Sequence, residues 1–165
     1  MCATGKQEQD CNTAISLDGW QEANNLNRMD QAGGILEGAE HISVGGFNRF
    51  IGPLYRLPDD PDGRTHFAFK VLDKHMNFIG TVHGGMLMAF LDISMSRTSR
   101  LASGARSCST VSLDCEFLAA ARLGDVVESR IRVGRKTKTM AFMTGEISVG
   151  SELLVTAQGI WRLVF

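Results

Sequence analysis

One carboxylate, Asp92, sits in an otherwise apolar run, Met86-Leu87-Met88-Ala89-Phe90-Leu91-Asp92-Ile93. An acid in such a setting costs free energy unless it is paired or hydrogen-bonded. It is also where shifted pKa values and catalysis are often found. Asp92 can activate a water as a general base or attack an electrophile itself. Just upstream the chain is polar and carries loop signals, Asn77 and Gly80, followed by His83-Gly84-Gly85. The two glycines fall where that loop turns into the apolar run. Backbone N–H groups at a helix start have no intrahelical acceptor, and the helix dipole there is positive. Glycine lets a ligand approach such a backbone closely. Donors arranged in this way suit an oxygen that gains negative charge during attack on a carbonyl.

These residues need particular elements to hold them. The run from Met86 is apolar almost all round, so it reads as a buried helix, ending near Gly104 with Arg97, Arg100 and Arg106 at its negative pole. Before it, residues 50–57 read as a short strand broken by Gly52-Pro53. The run Pro58-Asp59-Asp60-Pro61-Asp62-Gly63 is a turn, and residues 66–72 alternate with Phe67, Phe69 and Val71 on one face. After the helix the period changes to two. Val111, Leu113, Cys115 and Phe117 face one way, and Thr110, Ser112, Asp114 and Glu116 the other. Leu123-Gly124-Asp125 makes a turn, and three more strands follow over residues 127–133, 140–149 and 153–163, with Gly134 and Gly150 read as hairpin turns. One apolar helix needs cover, so the expected layout is α+β, a curved antiparallel sheet wrapped around one long helix.

Residues 1–46 differ from the rest: they are rich in Asn, Gln, Asp and Gly and bury little apolar surface. They are expected to be an N-terminal extension, partly disordered or carrying a short docked helix with Trp20, Leu26 and Met29 on one side. Residues 47–165 are expected to form the domain. The 165 residues carry a net charge of −1, which gives no footprint for nucleic acid. No stretch reads as a signal peptide or membrane span. Cys2, Cys11, Cys108 and Cys115 form no CxxC pair, and on an unbroken strand Cys108 and Cys115 point to opposite faces. They read as free thiols of a cytoplasmic protein. His41, His66, His75 and His83 lack metal-ligand spacing, so no metal is expected.

The pattern Asn77-x-x-Gly80-x-x-His83-Gly84-Gly85, with Asp92 nine residues after His83, resembles the signature of the hotdog-fold acyl-CoA thioesterases, in particular the phenylacetate-degradation (PaaI-like) branch. The resemblance covers roughly residues 44–164 and includes Ser109-Thr110-Val111-Ser112-Leu113 and the later run from Phe117 to Asp125. It implies a sheet wrapped around one helix, and dimers or dimers of dimers. It implies that the Gly84 N–H is the oxyanion donor, that Asn77 positions the thioester or the water, and that Thr110 orients the water or the carboxylate. Alternation puts Thr110 on the polar face of its strand, so it reaches the site only at a subunit interface or through a bulge. His83 either holds the loop or carries a proton. Gly85 and Phe78 are expected beside the substrate, with Phe78, Met86 and Phe90 able to take an aryl or medium alkyl group. A basic cluster, Arg130, Arg132, Arg135, Lys136 and Lys138, suits the phosphates of coenzyme A, with Arg135, Lys136 and Lys138 expected to touch them. No cofactor is implied beyond coenzyme A as part of the substrate.

Spacing adds a constraint. Gly84 and Asp92 are eight residues apart, about 12 Å along one helix. A base must reach to within about 3 Å of its water. If both act on one carbonyl, two antiparallel helices related by a two-fold axis are required, giving paired shared sites. Two rival readings remain: a hotdog hydratase or dehydratase using His83 with a carboxylate, and a non-catalytic acyl-CoA-binding protein.

Overall fold

The long apolar run forms a helix because both of its ends are closed and its middle is lipophilic. The computed structural model describes residues 39–165, in which this helix spans Gly84–Ser103. We label it α2. His83 caps its start with a side chain, and Gly104 ends it in the left-handed region at φ 71°, its N–H donating to the Arg100 carbonyl. Phe90, Leu91 and Met95 are wholly buried along it. Its buried hydroxyls are satisfied locally: Ser94 donates to the Phe90 carbonyl at 2.7 Å and Thr98 to the Ser94 carbonyl at 2.9 Å.

Around α2 the chain lays down β1 (Glu40–His41), the short helix α1 (Gly46–Ile51), β2 (Tyr55–Leu57), β3 (Thr65–Lys70), a 3-10 turn (Asp73–His75), β4 (Ser107–Phe117), β5 (Val126–Lys136), β6 (Met140–Val149) and β7 (Glu152–Val164). The seven strands make one antiparallel sheet in the order β1-β2-β3-β5-β6-β7-β4. The sheet comes close to α2 at Gly145, where a Cβ would lie 2.7 Å from the Met95 methyl and 2.6 Å from Ile131 Cδ1. Trp161, fully buried on β7, donates its indole N–H to Ser96 of α2 at 2.9 Å. No helix among the described residues is long and apolar enough to cross a membrane.

Several expectations are corrected. Residues 46–51 are helical, so only the second half of the stretch read as a strand over 50–57 is one. Gly134 lies inside β5 at a bulge between Val133 and Arg135, and the β5–β6 turn falls on residues 137–139. Gly150, at φ 57°, does turn β6 into β7. β1 and Ile42 precede residue 47, and Ile42 is buried in the core at 2% exposure. The expected helix around Trp20, Leu26 and Met29 lies outside the described residues.

Strand β4 carries the largest local departure. Its register against β7 steps from Thr110–Trp161 to Ser112–Ile160, which leaves Val111 as an extra bulged residue. Alternation therefore changes phase at Val111, which is 56% exposed, while Cys108, Leu113 and Cys115 all pack against the core. The two cysteines face the same way, and burial raises the Cys115 thiol above its usual range. Among the described residues, the sheet order leaves the other edge of β4 unpaired along eleven residues.

Candidate active site

The polar loop before α2 is closed by Asn77. Its Oδ1 accepts from the Ile79 and Thr81 N–H groups at 3.0 and 3.1 Å, and its Nδ2 donates to Thr81 Oγ1 at 2.8 Å. The backbone closes the same turn, Asn77 N–H to Thr81 carbonyl at 2.8 Å. Among the described residues Asn77 is thus a turn former, with one amide hydrogen left over. Gly80 sits at φ 82°, a conformation that suits glycine. A bridge between Met76 and Val82 then brings His83 back beside His75, whose carbonyl accepts the His83 N–H at 2.8 Å.

His83 spends one ring nitrogen on the helix start. Its Nδ1 accepts the Gly85 N–H at 2.9 Å, so the neutral ring carries its proton on Nε2. A Cβ at Gly85 would come within 3.0 Å of that nitrogen, which explains the glycine there. The neighbouring Gly84 N–H has no acceptor among the described residues and points from the positive end of a helix twenty residues long. The ring of Phe117 passes 3.4 Å from the place a Gly84 Cβ would occupy, so this donor is screened on one side by an aromatic edge.

Two turns further along, Asp92 receives a hydrogen bond of 2.5 Å from Thr110 Oγ1 on β4. The bulge at Val111 turns Thr110 toward α2. The expectation of a fully buried acid does not hold within one chain: Asp92 is half-exposed, and Met88, one turn earlier, is 39% exposed. These two mark a strip of α2 that the sheet leaves uncovered, next to the open edge of β4. Arg97 does not pair with Asp92 but reaches Glu40 at 3.1 Å.

The other expected residues scatter. Phe78 projects from the loop tip fully exposed. Lys136 donates to the Ala102 carbonyl at 2.9 Å, at the opposite end of α2 from Gly84 and about 27 Å away along the helix. Arg135 lies near it on β5, and Lys138 in the following turn. Arg130 and Arg132 face acids of the 58–63 turn, Asp60 at 3.0 Å and Asp62 at 3.2 Å, so they are spent on ion pairs. Sequence reasoning missed His75 as a support. Its Nε2 donates to the Ile51 carbonyl at 2.8 Å and its Nδ1 accepts from the Leu72 N–H at 3.1 Å. Burial lowers its pKa, the Ile51 bond opposes that, and the Lys74 charge adds to it. A lone histidine ahead of a polar loop gave no signal of this role.

The geometry can be set against known proteins. The sequence model of the Thioesterase superfamily matches residues 79–156, the stretch holding the glycine pair, Asp92 and Thr110. A solved Ralstonia eutropha protein, provisionally named a thioesterase and related to phenylacetic acid degradation, is 30% identical, with a TM-score of 0.62 over 78% of this chain and 96% of that one. The chain belongs to the thioesterase superfamily. A Caenorhabditis elegans relative, provisionally named an esterase, is 30% identical over 119 residues, 72% of this chain and 70% of its own. Human acyl-coenzyme A thioesterase 13 is 27% identical over 117 residues, 68% of this chain and 80% of its own. The fold of this thioesterase is the hotdog, with α2 as the filling and the antiparallel sheet as the wrap. As a member it is a thioester hydrolase, and the PaaI-like resemblance read from the glycine motif holds.

Proposed function

We propose that the chain hydrolyses acyl-CoA thioesters at two equivalent sites, each made by Gly84 of one copy and Asp92 of a second copy. The observation that carries this reading is the Thr110–Asp92 hydrogen bond beside the unpaired edge of β4. Long open edges are templates for pairing with another chain. Two β4 strands joined edge to edge would cover Met88 and Asp92 and bring two α2 helices side by side. An antiparallel pair closes the gap of about 12 Å between Gly84 and Asp92 by taking one residue from each chain. The coenzyme A part follows the name of the human relative.

In this site the thioester carbonyl accepts from the Gly84 N–H, with the α2 dipole behind it. Asp92, held by Thr110, takes a proton from water as the water attacks, or attacks the carbonyl directly to give a mixed anhydride that water then cleaves. Either route ends in the free acid and the thiol of coenzyme A. One oxyanion donor of this kind contributes roughly 3 kcal/mol. The remaining Asn77 amide hydrogen is available to the carbonyl or the water. His83 acts through its cap rather than as a base, since its Nδ1 is occupied and its Nε2 is protonated, which disfavours hydratase chemistry. With helices aligned in this way, the basic turn of Arg135, Lys136 and Lys138 in the second copy falls about 15 Å beyond Gly84, within reach of the phosphates of a bound coenzyme A. Cys108 and Cys115 are free thiols, in keeping with a reducing cytoplasm.

The test is thiol release from a panel of aryl- and alkyl-CoA thioesters by wild type and Asp92→Asn. Release by wild type and its loss in Asp92→Asn is the expected outcome. Equal release by both would remove Asp92 from the mechanism, and release by neither would refute the hydrolysis of acyl-CoA.

A further inference from the structure

A helix opens with N–H groups that lack an intrahelical acceptor. In α2 these belong to His83, Gly84, Gly85 and Met86. All but one find a partner. The His83 N–H goes to the His75 carbonyl at 2.8 Å, that of Gly85 to His83 Nδ1 at 2.9 Å, and that of Met86 to the His83 carbonyl at 2.8 Å. Among the described residues, only the Gly84 N–H is left over. Which donor stays free is therefore decided by how His83 stands. A turn of its ring would release the Gly85 N–H as well, and a shift of its backbone would carry Gly84 with it. His83 is exposed, so packing alone does not hold it.

It is held from behind by His75. That residue is 2% exposed, and its side chain fixes the carbonyl that His83 bonds. The ring Nδ1 accepts from the Leu72 N–H at 3.1 Å, while the His75 N–H returns to the Leu72 carbonyl at 2.9 Å, which closes the 3-10 turn. The ring Nε2 donates to the carbonyl of Ile51, a core residue, at 2.8 Å. The ring also meets Phe69 of β3 edge-on, with centroids 5.2 Å apart, and Phe69 meets Phe90 of α2 at 4.8 Å. One ring nitrogen accepts and the other donates, so the ring works in its neutral form. Neither nitrogen is free for a substrate, so His75 takes no part in proton transfer.

We propose that His75 is the positioning residue of the oxyanion donor: its carbonyl sets His83, and His83 in turn leaves the Gly84 N–H as the one free donor at the start of α2. This rests on the acyl-CoA reading above and deepens it, because it extends the machinery to a buried side chain that touches no substrate.

Amide hydrogen exchange, followed by NMR on the full chain, reads this sorting of donors without turnover. In wild type the His83 and Gly85 N–H groups should exchange at least tenfold more slowly than that of Gly84. His75→Leu keeps apolar bulk and removes both ring bonds. It should speed exchange at His83 and Gly85 about tenfold, while amides of the β6–β7 ladder keep their wild-type rates. Thiol release from an acyl-CoA that wild type cleaves should show kcat lowered about 10–100-fold, the scale of a misplaced oxyanion donor, with KM within about twofold. His75→Asn places an acceptor where Nδ1 stands and should return both readings to within about threefold of wild type. A wild type in which Gly85 exchanges as fast as Gly84 would overturn the inference before any variant is made. Unchanged exchange at His83 and Gly85 in His75→Leu would overturn it too, as would lost protection with unchanged kcat. Exchange that quickens equally throughout the sheet would assign His75 to stability alone and overturn its positioning role. If wild type releases no thiol from any acyl-CoA, the hydrolysis reading fails, and the exchange result alone decides whether His75 sorts the donors.

Discussion

Two variants, each inactive alone, should make an active enzyme when they are combined. The first is Asp92→Asn, which removes the base; loss of a general base typically lowers turnover by about 10²–10⁴-fold. The second is Gly84→Pro, which removes the N–H proposed as the oxyanion donor, a loss of about 10²–10³-fold. Proline is tolerated at the first position of a helix, and the residue before it must be extended. His83 already is, at φ −64° and ψ 130°. A Cβ at position 84 would meet the Phe117 ring at 3.4 Å, an ordinary contact, so the substitution should remove the donor and leave the fold. In a two-fold dimer with shared sites, a mixed pair has one site carrying both defects and one carrying neither. Random pairing of equal amounts makes half of the dimers mixed, and half of their sites intact, so about one quarter of wild-type activity should return. The assay is thiol release after co-refolding the two chains, with each refolded alone as the reference. Activity that stays at the level of the parents would show that Gly84 and Asp92 do not work across an interface, and the distance reasoning would fail.

Thr110→Val removes the hydroxyl that Asp92 accepts from; a hydrogen bond to a charged group is worth about 1.5–3 kcal/mol, so kcat should fall roughly 10–100-fold while Thr110→Ser retains most of it. Unchanged kcat in Thr110→Val would make the contact incidental. Gly159→Ala should destabilise the chain by about 1–3 kcal/mol, because a Cβ there would lie 2.5 Å from the buried Trp161 ring and 2.7 Å from the Ser112 carbonyl. A melting temperature within one degree of wild type would contradict that. Burial lowers the His75 pKa from its ordinary 6.5, so the unfolded chain takes up this proton at a higher pH than the folded one. Stability is then full above about pH 6.5 and falls as pH drops through the folded value. His66, lowered by burial and the Arg130 charge, adds to the effect. Thermal melts between pH 7.5 and 5 should show it, and His75→Asn should show a shallower slope; equal slopes would assign it elsewhere.

The sequence carries the long-range layout well where the apolar pattern is long. The α2 run and the β5–β7 meander are of this kind, because their elements run over ten or more residues and survive the bulges at Gly134 and Leu154. It carries less where one residue changes the phase. The alternation of β4 predicts Thr110 facing away from the helix, and only the extra residue at Val111 turns it toward Asp92. Nothing in Ser-Thr-Val-Ser-Leu marks a bulge, since β-branched residues suit a strand on either face. Gly134 is the converse case: the same glycine signal that marks a turn also marks a bulge. The motif around Gly84 was legible because it combines backbone freedom with fixed spacing. The roles of His75 and Phe117 were not, because each depends on a partner more than twenty residues away along the chain.

The open edge of β4 also bears on how much of this protein must be present for it to work. In the proposed dimer the outer edge of this eleven-residue strand, open among the described residues, would be satisfied by a second identical strand, and that strand would have to be encountered. If each site is shared, a solitary chain holds two halves of different sites and no whole one. Specific activity per chain should then climb with dilution reversed, approaching a ceiling once pairing saturates. The cell would set the output of such an enzyme twice through its abundance, once by the number of chains and again by the fraction of them that have met. Until they met, the bare edge would remain open to the wrong strand, so rapid self-pairing of this proposed kind would protect the chain from aggregation as well as complete its sites.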